Sequence, residues 1–460
     1  MASKSEIYFE LVELSGHVVA KGAWSSTLRA DCLYKSVHLA KPGRRCRLLQ
    51  GTWEITPFTP LAALDISVGT CIQVVWLSSS AAGSRSHSNA FAAIKANGSV
   101  VTWGGDKYGG NSLAVAPLLM EGVVQVCGTA GAFAAIKDNG SVVTWGDDRM
   151  GGNSSSVAPL LTKGVVQVRS TDAAFASHQG VVTWGDARYG GDSLVVAPLL
   201  AEGVVQVCGN TGAFAALKAN GSVVTWGGFY YGGNSIAVAS LLAEGVVQVC
   251  ETTCSAFAAI KANGSVVTWG SQCHGGNSSA VPQLMDGVVQ ICGSHSACAA
   301  LKANGSVVTW GVPGFGGNSL AVALHLAEGV VQICGNYYAI AAIKADGRVV
   351  TSGKDEYGGN SSAVAPLLAE GVVQVCGSAS AFAAIRSDGS VVTWGDADYG
   401  GDSSSVAPLL TEGIVQVYAN EYSFAALKAN GSVVTWGDDG FGGNSSAVAP
   451  LLTEGVVEVC

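Results

Sequence analysis

Apolar residues fall in short blocks separated by Gly-rich polar steps, and from residue 90 onward the same blocks return in the same order. Three of them define a unit of 39 to 43 residues that recurs nine times. Val-Val-Thr-Trp-Gly carries Trp103, Trp145, Trp184, Trp226, Trp269, Trp310, Trp394 and Trp436, with Ser352 standing in the seventh copy. Gly-Val-Val-Gln-Val-Cys, with small variations, begins at Gly122, Gly164, Gly203, Gly245, Gly287, Gly329, Gly371, Gly413 and Gly455. Ala-Phe-Ala-Ala-Ile-Lys begins at Ala90 and is varied in later copies.

Each block has the length and the β-branched or small apolar content of a strand. Asn-Gly joins the Ala-Phe-Ala-Ala-Ile-Lys block to the Val-Val-Thr-Trp-Gly block in six copies, as in Lys95-Ala96-Asn97-Gly98-Ser99. Both residues tolerate positive φ, so an antiparallel hairpin with a tight turn is predicted there. Asp-Gly replaces the pair at 346–347 and 388–389, and the third copy, AFASHQGVVTWG, is three residues short, which predicts an irregular hairpin. One unit therefore reads as three consecutive antiparallel strands and a connection, such as Gly-Gly-Asn-Ser-Ser-Ala-Val-Ala-Pro-Leu-Leu, with room for a short outer strand. So small a sheet cannot bury both faces alone, and neighbours must stack, in a ring or in an open solenoid.

The array opens on AFAAIK and VVTWG at 90–104 and finishes on GVVEVC at 455–460, so the final residues supply the strand missing from the first unit. That arrangement predicts a closed ring. The alternative is that Cys71-Ile72-Gln73-Val74-Val75 serves as the opening strand and leaves the array open, and nine units exceed the four to eight blades typical of propellers. The fold class expected is mainly β: a nine-repeat propeller over 90–460, preceded by a small α+β domain over 1–77 and a Ser-rich linker over 78–89.

Composition removes several classes of function. With 48% apolar and 12% charged side chains, and 62 Gly against 11 Pro, the chain is neither disordered nor a helix bundle. A formal charge of -9 argues against a phosphate-binding surface over the whole molecule, so no nucleic-acid partner is expected. The start, MASKSEIYFELVEL, lacks the pattern of a secretory signal. Uncharged windows at 219–243 and 303–327 are broken by Asn-Gly and Gly-Gly steps, so no membrane span is expected. The expected location is intracellular, cytoplasmic or nuclear, with the 13 Cys mostly reduced.

Three antiparallel strands place the connection after GVVQVC and the connection after VVTWG on one face, and the Asn-Gly turns on the other. These two connections are also where the copies differ. After Trp-Gly they read GDK, DDR, DAR, GFY, SQC, VPG, KDE, DAD and DDG, and after the first strand they include ETTCS, GSHS, GNYY and ANEY. Variable loops on a rigid scaffold are where binding is tolerated. The candidate partner-binding residues are accordingly Phe229, Tyr230, Tyr337, Tyr338 and Tyr422 as aromatic anchors, with Asp147, Asp148, Arg149, Asp355, Asp398, Asp438 and Asp439 as a charged rim.

The repeated Trp residues read as packing between units, and the residues before each Gly-Gly (Tyr108, Met150, Tyr189, Tyr231, His274, Phe315, Tyr357, Tyr399 and Phe441) as structural plugs. Cys127, Cys208, Cys250, Cys292, Cys334, Cys376 and Cys460 share one position, with Arg169 and Tyr418 in the other two copies, and also read as packing. Cys250, Cys254, Cys273 and His274 lack the paired spacing of a zinc site, so no metal or cofactor is expected. Lys or Arg near the Asn-Gly turns read as solvated charges. With no nucleophile elbow, phosphate-binding loop or metalloprotease motif, no enzymatic activity is expected.

These blocks, a Val-x-x-Val strand, a strand ending in Asn/Asp-Gly, then Val-x-x-Trp-Gly and a Gly-rich turn, resemble the RCC1 repeat family, named after the regulator of chromosome condensation. The resemblance covers 90–460, with a unit nearer in length to compact three-stranded bacterial relatives, and without the family's frequent His in the second strand. It implies a β-propeller that binds proteins, in some members as an exchange factor for a small GTPase or as a substrate-recognition part of a ubiquitin ligase. Residues 1–77 resemble a ubiquitin-like β-grasp domain: a hairpin from IYFELVELSG and HVVAKGAW, a Ser-capped helix in SSTLRADCLYKSVHLA, then RCRLLQ and TPLAALDI before a final strand. That resemblance implies a docking patch of Leu14, Leu48 and Val75. The function expected is a monomeric, non-catalytic scaffold that captures a protein partner, with an exchange factor and a ubiquitin-ligase component as alternatives.

Overall fold

The computed structural model describes residues 6–13, 18–26, 28, 33, 36–37, 45–50, 53–55, 61–64, 70–77, 88–178, 180–250 and 255–460. At the N-terminal end, β1 (Glu6–Glu13), β2 (Val18–Ser25), β3 (Arg45–Gln50), β4 (Trp53–Ile55) and β5 (Cys71–Leu77) form one sheet in the order β2-β1-β5-β3-β4. The central pair β1–β5 is parallel and the others are antiparallel. Phe9, Leu11, Leu48, Ile55, Ile72 and Val74 close a core with Leu33 and Val37, and residues 33, 36 and 37 are helical within the stretch predicted as a helix.

From Ser88 onward, nine three-stranded antiparallel sheets are present among the described residues. In the second sheet, Val123–Gly128 pairs with Ala132–Lys137, which pairs with Val142–Gly146. First strands approach the first strands of neighbouring sheets, as Val288–Gly293 does Val330–Gly335, so they lie nearest the axis. Third strands lie outermost, and seven of the nine meet a helical segment of the preceding unit, as Val142–Gly146 meets Leu113–Leu119. These segments are short 3-10 or α turns, not the outer strand that the sequence leaves room for. Pro117 and its counterparts cannot donate to a sheet ladder, and such a turn seats one Leu, here Leu119, in the core.

The circuit closes. Val456–Val459 pairs with Ala90–Lys95, and Ala92 and Cys460 exchange both backbone hydrogen bonds at 2.8 and 3.0 Å. Sheet follows sheet around to Ser423–Lys428, which meets Val456–Val459 again, the arrangement of a β-propeller. Cys71–Leu77 belongs instead to the N-terminal sheet, so it is not an opening strand of the array.

The sequence of the middle strand follows from its place. Ala90, Ala92 and Ile94 pack toward the second sheet, whereas Phe91 and Ala93 pack toward the ninth. A strand buried on both sides reads as a continuous apolar run, and Ala lets adjacent sheets approach closely. Seven of the eight repeated Trp residues stack on the Phe beside them, as Trp145 does on Phe133 with centroids 5.4 Å apart, whereas Trp310 stands beside Cys298. The indole N–H of each reaches the preceding unit: Trp145 donates to the Gly109 carbonyl at 2.9 Å, and Trp436 to that of Gly400 at 3.0 Å. Thr on the outer strand bonds the Ser of the Gly-Gly-Asn-Ser step in its own unit, Thr102 to Ser112 at 3.0 Å and Thr435 to Ser445 at 3.0 Å.

Two local expectations need correction. In the hairpin turns only Gly takes positive φ, 74° at Gly98, and among the described residues no other residue type does. Gly98 N–H donates to the Lys95 carbonyl and Lys95 N–H to the Ser99 carbonyl, both at 2.8 Å, so the loop has three residues and closes on a left-handed Gly. Asn97 accepts the Ser99 N–H at 3.0 Å, which is why Asn or Asp recurs there. Nor are the lysines beside these turns simply solvated. Lys137 Nζ donates to the Leu118 carbonyl and Lys95 Nζ to that of Leu451, each at 3.0 Å, tying every such hairpin to the helical turn of the unit before it. In the third sheet the short hairpin leaves strands of only four and three residues, Ala174–Ser177 and Thr183–Gly185.

Candidate functional site

The face carrying the variable connections is built from a repeated lock. Two residues past the Cys position of the first strand stands a fully buried Ser, Thr or Asn: Thr129, Thr171, Asn210, Ser294, Asn336, Ser378 and Asn420, and Ser88, two residues before the second strand of the first sheet, is fully buried likewise. Asn420 Nδ2 donates to the Phe441 carbonyl at 2.6 Å while its Oδ1 accepts the N–H groups of Tyr422 and Ser423 at 2.9 and 2.8 Å. Thr129 does the same work with one hydroxyl, donating to the Met150 carbonyl at 3.0 Å and accepting the Ala132 N–H at 2.9 Å. The two variable connections of a unit are thereby fixed to each other. Sequence reasoning passed over this position, although the unbroken Ser/Thr/Asn choice after each strand was visible.

The residue after the lock joins neighbouring sheets. Ala130 N–H donates to the Asp172 carbonyl and Asp172 N–H to that of Thr211, at 2.9 and 3.1 Å. His295 donates to Tyr337, Tyr337 to Ala379 and Ala379 to Glu421 in the same way, at 2.9, 3.0 and 2.9 Å. Asn89 Nδ2 extends the series to the Ala130 carbonyl at 3.0 Å. Among the described residues this collar of hydrogen bonds ties the connections into two arcs, 89 to 211 and 295 to 421, rather than leaving them as independent loops.

The predicted anchors divide into two kinds. Phe229 and Tyr230 stand edge to face, 66% and 78% exposed, on the turn after the fourth Trp-Gly. Tyr337, Tyr338 and Tyr422 are half-buried and packed into neighbouring rings. Tyr337 also donates its hydroxyl to the Glu421 carboxylate, spanning the small Ala379 between them. The predicted rim divides likewise. Asp148, Arg149, Asp355, Asp398 and Asp439 are exposed, whereas Asp147 and Asp438 cap their turns, each accepting the N–H two residues on at 2.8 Å. Asp186 is a third such cap, and the Arg188 side chain bonded to it at 2.6 Å, together with the Arg188 N–H, holds its carboxyl below the usual range.

The residues before each Gly-Gly do more than plug. Phe315 meets Tyr338, which meets Tyr357, with centroids 5.3 and 4.4 Å apart. In the next sheets Tyr399, Tyr422, Phe441 and Tyr108 stack in order at 5.2, 4.1 and 5.7 Å. Burial, reinforced by Asp396 and other neighbours at Tyr399 and by Glu421 and other neighbours at Tyr422, raises both phenol pKa values. Glycine is required at 442, where φ is 98° and a Cβ would fall 2.7 Å from the Phe91 ring.

Of the patch implied on the N-terminal sheet, Leu48 does not stand on an open surface. Leu48 is fully buried in the core and pairs with Val74, Val75 pairs with Arg47, and Leu14 lies outside the described residues, as does Cys254 of the rejected metal cluster. The Cys position packs between sheets as expected: Cys208 is buried with Val249 of the next sheet, its thiol 3.3 Å from that residue's carbonyl. Among the described residues no group of three or more potential metal ligands assembles, and no helix is long and apolar enough to cross a membrane.

No family model matches the chain. No curated protein matches it either. Among solved structures it is similar to human WBSCR16, with 18% identity over 58% of this chain and 88% of that one and a TM-score of 0.35. It is also similar to the ectodomain of the Arabidopsis thaliana receptor kinase ACR4, with 17% identity over 59% and 98% of the two chains and a TM-score of 0.35. Prp20p from Saccharomyces cerevisiae, described with its binding to Gsp1p and histones, gives 17% identity over 77% and 82% and a TM-score of 0.34.

Proposed function

We propose that this chain is a non-catalytic scaffold of the RCC1-like kind, which captures a protein partner on the variable face of its nine-unit propeller. The observation that carries this reading is the contrast between the two faces. One repeats the same Asn-Gly or Asp-Gly hairpin in eight of the nine sheets, while the other gathers dissimilar side chains onto a surface held by the Ser/Thr/Asn locks and the collar. Rigid display lowers the ordering cost of association, and exposed aromatics such as Phe229 and Tyr230 supply anchor area. The strand order of the N-terminal sheet, with its central parallel pair, supports reading residues 1–77 as a ubiquitin-like module joined to that scaffold.

The test places a photo-crosslinking amino acid at Tyr230 and, separately, at Asn304 on the opposite face, in the full chain exposed to extract from cells that express it. Crosslinked partner from position 230 and none from 304 is expected, and Phe229→Ala with Tyr230→Ala should lower its capture. Equal labelling from both faces overturns the reading. Nucleotide release from the small GTPases in that extract is measured alongside. No stimulation is expected, and stimulated release would replace the adaptor role by exchange activity.

A further inference from the structure

The third sheet departs from the other eight at its hairpin end. Its hairpin is three residues short, and the same unit carries Lys163 where the others have Glu or Asp, Arg169 where seven have Cys, and His178 where the others have Ile or Leu. Elsewhere the hairpin Gly of one sheet offers its carbonyl to the first strand of the next. Val123 N–H donates to Gly98 at 2.9 Å and Val246 N–H to Gly221 at 3.0 Å, and the bond recurs at eight of the nine junctions. Val204, which opens the fourth sheet, makes no such bond to Gly180, and it is half-buried where its counterparts are buried. Among the described residues no heavy atom lies within 4 Å of where a Cβ on Gly164 or Gly180 would stand, whereas one on Gly98 or Gly140 would strike the next sheet at 2.5 and 2.4 Å. A gap is therefore left between the third and fourth sheets, opening on the Asn-Gly face.

Two polar side chains face that junction. Ala174 and Ala176 pack against Val207, Phe214 and Ala216 of the fourth sheet, so His178, two residues further along the strand direction, lies on the same side. Arg169 is the cross-strand partner of Ala176 and shares that side, one diagonal step from His178, a spacing that a long side chain covers. His178 Nε2 is shut off from solvent and bonded by nothing in the protein, and Arg169 Nε is equally buried. A buried ring nitrogen left in that condition marks a place where an ion or a water belongs. The counterparts of the Val204 N–H all point back at the preceding sheet, so this donor forms part of the opposite wall.

This set of donors suits an anion and not a metal. Guanidinium and backbone N–H have no lone pair to offer, and an arginine keeps its charge. Lys163, exposed one residue before Gly164, adds a second cation at a position where the other eight copies place a carboxylate. Glu202, one residue before Gly203, is exposed to solvent. Donors that come from both walls and from the mouth meet a tetrahedral ion with four oxygens more fully than a carboxylate, whose two oxygens share one plane. We infer that the gap between the third and fourth sheets binds a phosphate group, held by His178, Arg169 and the Val204 N–H with Lys163 at its mouth. The site opens away from the variable connections and stands apart from the scaffold reading.

The test titrates the full chain with inorganic phosphate, phenyl phosphate and acetate at constant ionic strength, read by isothermal titration calorimetry. Phosphate should bind, and acetate at least about tenfold more weakly. Binding of phenyl phosphate as well would assign the site to phosphomonoesters, and its exclusion would assign it to the free ion. Arg169→Cys with His178→Ile restores the residues found in other copies and should weaken phosphate at least about tenfold, with circular dichroism confirming the fold. Lys163→Glu, at an exposed position, should weaken it about threefold or more. His274→Gln, on the variable face, should leave it within about twofold. Phosphate should also raise the Tm of the parent and leave that of the Arg169→Cys, His178→Ile chain unchanged. No phosphate binding at about 10 mM, or equal affinity in the parent and in both variants of the gap, overturns the inference.

Discussion

The indole N–H of Trp103 donates to the carbonyl of Gly442 at 3.1 Å, joining residues 339 apart in sequence. The same bond joins adjacent units elsewhere, but here it closes the circuit, together with the Ala92–Cys460 backbone pair and the Lys95 bond to the Leu451 carbonyl. Trp103→Phe keeps a ring to stack on Phe91 and strips the donor from a buried carbonyl. The expected cost is about 1–3 kcal/mol in urea denaturation, the scale of a buried group left unpaired. Hydrogen exchange should rise most in 90–104 and 456–460, whereas Trp145→Phe should cost a similar amount without that localisation. Uniform exchange in Trp103→Phe would show that this bond is not a closing contact.

The Asn420 side chain bonds the Phe441 carbonyl and the Tyr422 and Ser423 N–H groups, and so fastens the loop carrying Tyr422 to the turn carrying Phe441. Asn420→Ala takes the acceptor from the two N–H groups, while the Phe441 carbonyl keeps the Ser423 hydroxyl at 2.9 Å, and should destabilise the protein by about 2–3 kcal/mol. Asn420→Ser should cost less than about half of that, since Ser378 at the equivalent place reaches the Tyr399 carbonyl at 2.8 Å and accepts the Ala381 N–H at 3.1 Å. Chemical denaturation of the two variants checks the order, and equal losses would mean that the lock depends on side-chain volume.

Acid should loosen the turns. The Ser390 hydroxyl hydrogen bond, ahead of burial that opposes it, lowers the pKa of Asp388, and the Ser404 N–H lowers that of Asp402. A lowered folded-state pKa means the unfolded chain takes up the proton first as pH falls. The stabilisation is therefore complete above the unfolded value of about 3.9 and disappears as pH falls through the folded values. Asp388→Asn with Asp402→Asn restores the residues found at Asn97 and Asn444 and retains the turn acceptor. Tm at neutral pH should change little, while the fall in Tm between about pH 5 and pH 2.5 should be shallower than in the parent. An identical fall would assign the acid sensitivity to other carboxylates.

The strand blocks and the hairpin pairing were legible because each depends on residues within one unit. The direction of the two faces followed from antiparallel pairing alone. The turn conformation was misjudged at Asn97, where the choice between one and two positive φ values rests on a three-residue loop closing back on Lys95. Leu48 was misplaced because alternation along a strand shows that two faces exist and does not show which is covered. The Lys bonds, the Asn420 lock and the aromatic row were missed because their partners stand 19 residues away, as Leu118 does from Lys137, 21 away, as Phe441 does from Asn420, or in the next unit, as Tyr422 does from Tyr399.

By itself the sequence determined the unit: block composition and Gly punctuation set strand lengths and turns, because those are local steric and burial preferences. Tertiary structure alone decided which end meets which, which tyrosines stand open and which stack, and how rings from separate units form one row. Those outcomes depend on the accumulated rotation from sheet to sheet, which brings residues from separate units together and is written in no single one of them.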